Sequence, residues 1–92
     1  MGVMICLYGN LQELVGTREL ELDVDSGSGH SLLELITLIS DLYGPEFRKA
    51  VVDKAGTKFR VACLVNGKPV CDIRTGVSEG DIVSFMPILA GG

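Results

Sequence analysis

Tryptophan is absent from this sequence, and aromatic residues make up only 5% of it. A core without large rings must be built from Leu, Ile and Val. Cations are outnumbered, 8 against 12 carboxylates, for a net charge of −4. A nucleic-acid binder carries a basic footprint, and this chain has none overall. No apolar stretch approaches the roughly 20 residues that a bilayer-spanning helix needs. No charged segment followed by an apolar one opens the chain as a signal peptide does. Only three cysteines occur, Cys6, Cys63 and Cys71, an odd and widely spaced set without any C-x-x-C. That excludes a disulfide framework. With His30 as the lone histidine, no metal site is expected either. Free cysteines without an export signal fit the reducing cytoplasm, and each reads as a small hydrophobe on a strand. The expected protein is cytoplasmic, with neither nucleic acid nor membrane as partner.

What the chain does hold is 47% hydrophobic residues in a length of 92. That rules out a disordered tail and suits one domain, 1–92. Val3 to Tyr8 is a short apolar run of β-formers, with Val3, Ile5 and Leu7 alternating against Met4, Cys6 and Tyr8. Such a strand is apolar on both faces. If a helix covers one, the other exposes a patch, and exposed apolar patches usually mean a partner. Leu11 to Val15 predicts one helical turn closed by Gly16. Glu19 to Val24 alternates charge and aliphatic, the pattern of a half-buried strand, and pairs with the first as an antiparallel hairpin.

Ser26-Gly27-Ser28-Gly29 reads as a connector. Ser31 and Glu34 then have capping-box spacing and predict a helix over 31–43. Its apolar stripe is Leu32, Leu35, Ile36, Ile39, Leu42 and Tyr43, and Gly44-Pro45 ends it, because proline disfavours an α conformation in the residue before it. The segment Pro45 to Lys58, with Arg60, gathers Arg48, Lys49, Lys54 and Lys58, and reads as a solvated loop or short helix or as a docking surface for an acidic partner. Phe59 to Val65 predicts a third strand, Asn66-Gly67 a type I′ hairpin turn, and Pro69-Val70 a short edge strand. Ser78 to Asp81 is a turn, Ile82 to Met86 the last strand, and Pro87 its stop. The order implies an α+β layer pair: one long helix on one face of a mixed four- to five-stranded sheet, with the first and last strands central and parallel. This is the β-grasp, ubiquitin-like arrangement.

No catalytic constellation accompanies it. Gly27-Ser28-Gly29 lacks the lysine of a phosphate loop, and three cysteines cannot supply a plant-type iron–sulfur cluster. The remaining feature is the segment Ile88-Leu89-Ala90-Gly91-Gly92, which follows Pro87 with no charged or hydrogen-bonding side chain. Glycine lacks Cβ and can enter a channel too narrow for other residues. A carboxylate at its tip is a poor electrophile until it is activated, for example as an acyl-adenylate.

Three stretches carry a resemblance. Leu11-Gln12-Glu13-Leu14-Val15-Gly16, after an apolar strand, resembles an L-R-E-x-x-G segment. Val65-Asn66-Gly67 resembles a V-N-G turn. Glu79-Gly80-Asp81-Ile82-Val83-Ser84-Phe85-Met86-Pro87-Ile88-Leu89-Ala90-Gly91-Gly92 resembles a D-G-D-x-V-x-x-x-P-P-x-x-G-G ending. All three belong to the MoaD/ThiS family of ubiquitin-like sulfur carriers, and the ending is closest to the small subunits of molybdopterin synthase. Gln12 stands in place of the usual Arg, Met86 where an aromatic is common, and Ile88 for the second proline. The resemblance implies a non-catalytic carrier with no bound cofactor. An E1-like enzyme of the MoeB type would adenylate Gly92 with ATP, and a sulfur donor would convert the adenylate to a thiocarboxylate. The tail, Ile88 to Gly92, would then enter a large MoaE-type synthase subunit and give its sulfur to a pterin precursor. Tyr8, Pro69 and Met86 match the family's hydrophobic docking surface. A carrier for thiamin, cysteine or tRNA thiolation, a modifier conjugated through the same Gly-Gly, and an inert interaction domain all share the fold, so fold alone does not choose among them.

Overall fold

The computed structural model describes residues 2–23 and 30–88. Strand β1 (Gly2–Leu7) buries Val3, Ile5 and Leu7 on one face, at 0–1% exposure. It pairs antiparallel with β2 (Glu19–Asp23), so that Leu20 and Leu22 lie opposite Ile5 and Val3. Between them runs α1 (Asn10–Val15). It stops at Gly16, whose left-handed φ of 87° lets its N–H donate to the Gln12 carbonyl at 2.7 Å.

Helix α2 (Leu32–Tyr43) lies across the sheet, burying Leu32, Leu35, Ile36 and Ile39 completely. Each such side chain contributes, gross, about 1.5–3 kcal/mol. The cap forms as expected on one side: Ser31 Oγ accepts from the Glu34 N–H at 3.2 Å. The return contact differs, because the Glu34 carboxylate accepts from the Ser31 hydroxyl, at 3.4 Å, and not from its amide. The stripe also ends sooner than its spacing suggests. Leu42 is 67% exposed and Tyr43 is exposed too, since Phe47 and Val51 of α3 (Glu46–Val51) join the core beside Ile39 instead.

The main sheet is completed by β4 (Ala62–Val65), β5 (Lys68–Val70) and β7 (Ile82–Met86), and its order is β2-β1-β7-β4-β5. Strands β1 and β7 are central and parallel, and β4 and β5 continue antiparallel. Asn66 and Gly67, with φ of 53° and 81°, make the expected hairpin turn, and Pro69 sits on the edge strand. The strand expected from Phe59 begins only at Ala62. Phe59 instead makes an isolated bridge to Val52, and the Arg60 N–H donates to the Val51 carbonyl at 2.7 Å. The end of α3 claims these residues before the sheet can. A small ribbon that the sequence did not announce, β3 (His30–Ser31) with β6 (Gly76–Val77), ties the start of α2 to the loop before β7. Among the described residues no helix is long and apolar enough to cross a membrane.

Candidate functional site

Because side chains alternate across a strand, burial of Val3, Ile5, Leu7, Val83 and Phe85 under the helices sends Met4, Cys6, Ile82, Ser84 and Met86 to the opposite face. Register adds the rest. Ala62 faces Met86, while Leu64 faces both Ser84 and Pro69. One step past the pair Leu7 and Phe85 come Tyr8 and Met86, and the Tyr8 N–H donates to the Phe85 carbonyl at 3.2 Å. Tyr8 is 46% exposed, Pro69 is exposed, and Met86 is half-buried. The three residues singled out from the sequence therefore share the outer sheet face, and none is core. Leu64 and Ile82 belong there as well. Period-two alternation could have placed Ile82; only the hairpin register places Leu64. Glu19 and Glu21 of β2 border the face opposite Cys6 and Met4.

The end of β7 is fixed from two sides. Below, the Phe85 ring meets Phe47 edge-on at 5.9 Å and Phe59 at 6.5 Å. Above, Gly9 holds φ of 60°, and a Cβ there would come within 2.8 Å of Pro87 Cγ. Glycine is needed at that position both for the backbone angle and for the close approach. Ile88, the next residue, is 61% exposed. Leu89, Ala90, Gly91 and Gly92 lie outside the described residues.

The V-N-G segment does more than turn. Asn66 Nδ2 donates to Asp81 Oδ1 at 3.0 Å, and Asn66 Oδ1 accepts from the Ile82 N–H at 2.9 Å. Asp81 Oδ2 accepts from the Ser78 N–H at 2.8 Å. One asparagine thus locks the β4–β5 hairpin to the start of β7 and so sets the level of the outer face.

Chemistry within the described residues is sparse. Burial pushes the Cys63 thiol up to about 12, which makes it inert. Cys6 is half-buried on the outer face. Cys71, expected on a strand, lies just beyond β5 and is exposed. His30 Nδ1 stands 3.3 Å from Glu34 Oε2, and no group of metal-ligating side chains forms among the described residues. The site is a surface for docking that leads into the C-terminal segment.

The family model described as the ThiS family matches residues 5–92. The chain belongs to that family. It is a ubiquitin-like sulfur carrier of the MoaD/ThiS type, and such proteins are small carriers and not catalysts. No curated protein matches it in sequence. Among solved structures it is similar to SAMP1, small archaeal modifier protein 1, from Haloferax volcanii, at 20% identity and a TM-score of 0.80 over 100% of both chains. It is similar to Urm1 from Trypanosoma brucei at 25% identity and a TM-score of 0.79, covering 99% of this chain and 95% of that one. It is also similar to one chain in the structure of the complex of subunits 1 and 2 of the molybdopterin-converting factor from Helicobacter pylori, at 20% identity and a TM-score of 0.58, covering 100% of this chain and 100% of that one. These likenesses bear out the β-grasp expectation.

Proposed function

We propose that this carrier holds sulfur as a thiocarboxylate on Gly92 and delivers it, as the small subunit of a molybdopterin synthase, to a pterin precursor. The observation that supports this reading is the apolar outer face formed by Met4, Cys6, Leu64, Pro69, Ile82 and Met86 with Tyr8, contiguous with the rigid root of the C-terminal segment at Gly9 and Pro87. A partner that grips this face has the segment from Ile88 aimed into it. Leu89, Ala90, Gly91 and Gly92 then enter the partner's channel.

The chemistry is ordinary acyl activation. A Gly92 carboxylate oxygen attacks the α-phosphorus of ATP in an E1-like, MoeB-type partner, and pyrophosphate leaves. A sulfur nucleophile then displaces AMP to give the thiocarboxylate. In a large MoaE-type subunit the sulfur bonds to the pterin, and water cleaves the acyl–sulfur bond to restore the Gly92 carboxylate. ATP is the activating partner's substrate, and the carrier needs no cofactor of its own and works in the cytoplasm. Ile88, where a second proline is usual, and Met86, where an aromatic is common, leave the partner open, and the likeness to small archaeal modifier protein 1 supports a second reading: the same Gly92 activated, but its acyl group passed to lysines of other proteins.

The fate of the charged carrier separates the two. Charged protein is mixed with a large synthase subunit and pterin precursor, and in parallel with a cell extract depleted of that subunit. Dithiolene formation supports the first reading. Isopeptide-linked adducts at Gly92, with no pterin product, would replace it by the second.

A further inference from the structure

Charge is sorted along this chain. Residues 46–60 hold five of the eight cations and only two of the twelve carboxylates. The fold gathers four of those cations, Arg48, Lys49, Lys54 and Arg60, around one cleft of about 810 Å³ between α2, α3 and the segment leading into β4. Val52 and Pro45 give the cleft an apolar wall.

The cations there are set in place but not neutralised. The Arg48 N–H donates to Ser40 Oγ at 2.8 Å, which pins the first turn of α3 on α2. A Cβ on Gly56 would stand 3.1 Å from Arg48 Nη2, so the glycine leaves room for the guanidinium. Arg60 Nη1 donates to the Lys49 carbonyl at 3.0 Å. Among the described residues Arg48, Lys54 and Arg60 make no ion pair, and Lys49 has only Glu46, at 3.8 Å on the exposed surface. The cleft's own acids do not close this gap. Asp53 stays ionised and offsets one cation, its carboxylate accepting from the N–H groups of Thr57 and Lys58 at 2.8 and 3.2 Å and from Thr57 Oγ1 at 3.1 Å. Those bonds, the Thr57 N–H first, hold it below the usual carboxylate range. With Asp41, that sets two carboxylates against the four cations, and the cleft stays net positive.

We propose that this cleft is a docking site for an acidic, partly aliphatic peptide segment of a partner protein. Other anions fit it less well. A nucleic acid would have to run past a surface on which carboxylates outnumber cations, and at physiological salt charge is felt over only about 8 Å, so a patch this small holds a short anion better than a long one. A second copy could offer the acidic edge of β2, but those carboxylates lie on a strand edge beside the outer face and bring no aliphatic side chain matched to Val52 and Pro45. A short peptide with carboxylates for the four cations and an aliphatic side chain for Val52 and Pro45 matches both features.

The site is independent of Gly92, and so is its test. A fluorescein-labelled peptide of alternating Glu and Leu is titrated into the full chain at low and at physiological salt, with backbone amides followed by NMR. Binding should move the amides of 48–54 and 60 and weaken as salt rises. Arg48→Glu with Lys54→Glu should weaken it by about tenfold or more, because two attractive contacts become repulsive. Lys68→Glu, a cation outside the cleft, should change little. If the double variant unfolds, Lys54→Glu alone, in an exposed turn, carries the same test. Shifts clustered elsewhere, or equal losses with Lys68→Glu, would overturn the proposal. So would a mixed-sequence oligonucleotide that displaces the peptide at lower concentration, or concentration-dependent self-association abolished by the double variant.

Discussion

Replacing Asn66 with aspartate preserves the size of the side chain and its tolerance of a left-handed backbone. It changes one group: the amide that donates to Asp81 becomes a carboxylate oxygen. That atom sits 3.0 Å from Asp81 Oδ1. Two unit charges at about 3 Å repel by about 1.4 kcal/mol in bulk water and about 5.5 kcal/mol at an effective dielectric of 20. Asn66 is exposed, so the lower end applies, and the lost hydrogen bond adds about 1 kcal/mol. The variant should be about 2–3 kcal/mol less stable at neutral pH, a fall in Tm of about 10–20 °C for a domain this size. The paired carboxylates raise the folded-state pKa of one of them above its unfolded value near 3.9. The penalty is therefore full at neutral pH and shrinks as pH falls through the raised folded value, where protonation restores a donor. Thermal unfolding by circular dichroism at pH 7 and pH 4.5, on variant and parent, measures both. An unchanged Tm at neutral pH, or a loss that does not shrink on acidification, would refute the clamp from Asn66 to Asp81.

Gly9→Ala forces a positive φ on alanine and presses Pro87, so it should cost about 1–3 kcal/mol and shift amide resonances at Ile88; a silent spectrum would show that the root of the C-terminal segment is not held there. Met86→Asp should leave the unfolding free energy within about 1 kcal/mol of the parent, because the side chain lies on the outer face, yet weaken capture of the tail-receiving partner by about tenfold or more, since a charge would be desolvated at the contact; unfolding instead would make Met86 core. Thiol labelling should proceed Cys71, then Cys6, then Cys63. Because burial raises Cys63 to about 12 from an unfolded value near 8.5, its contribution to stability is full below about pH 8.5 and lost as pH rises toward 12, which alkaline unfolding of a Cys63→Ala variant checks.

Local chemistry made several elements legible. Ser31, Glu34 and Gly44 bound α2, Asn66-Gly67 states its turn, and the alternation in Val3 to Tyr8 already named the two faces of β1. What stayed hidden was set by partners remote in sequence. Phe59 looks like a strand residue, but Val52 takes it out of the sheet. Tyr43 has the spacing of a core residue, but Phe47 arrives after a turn and fills the place. Gly9 gives no local hint that Pro87 lies against it. The cations of 46–60 were visible as a cluster, whereas the cleft that orders them needs α2, α3 and Arg60 brought together. Tyr8, Pro69 and Met86 were grouped by resemblance, and the registers of β1 with β7 and of β4 with β7 and β5 supply the physical reason that they share one face.

The central claim is that Gly92 carries the sulfur. Full-length protein is incubated with an E1-like activating enzyme, ATP and a sulfur donor, and its intact mass is measured. The account predicts a product heavier by the difference between sulfur and oxygen, mapped to the C-terminal peptide and absent when Gly92 is deleted. An unchanged mass, with ATP consumed on a parallel authentic carrier under the same conditions, would contradict it.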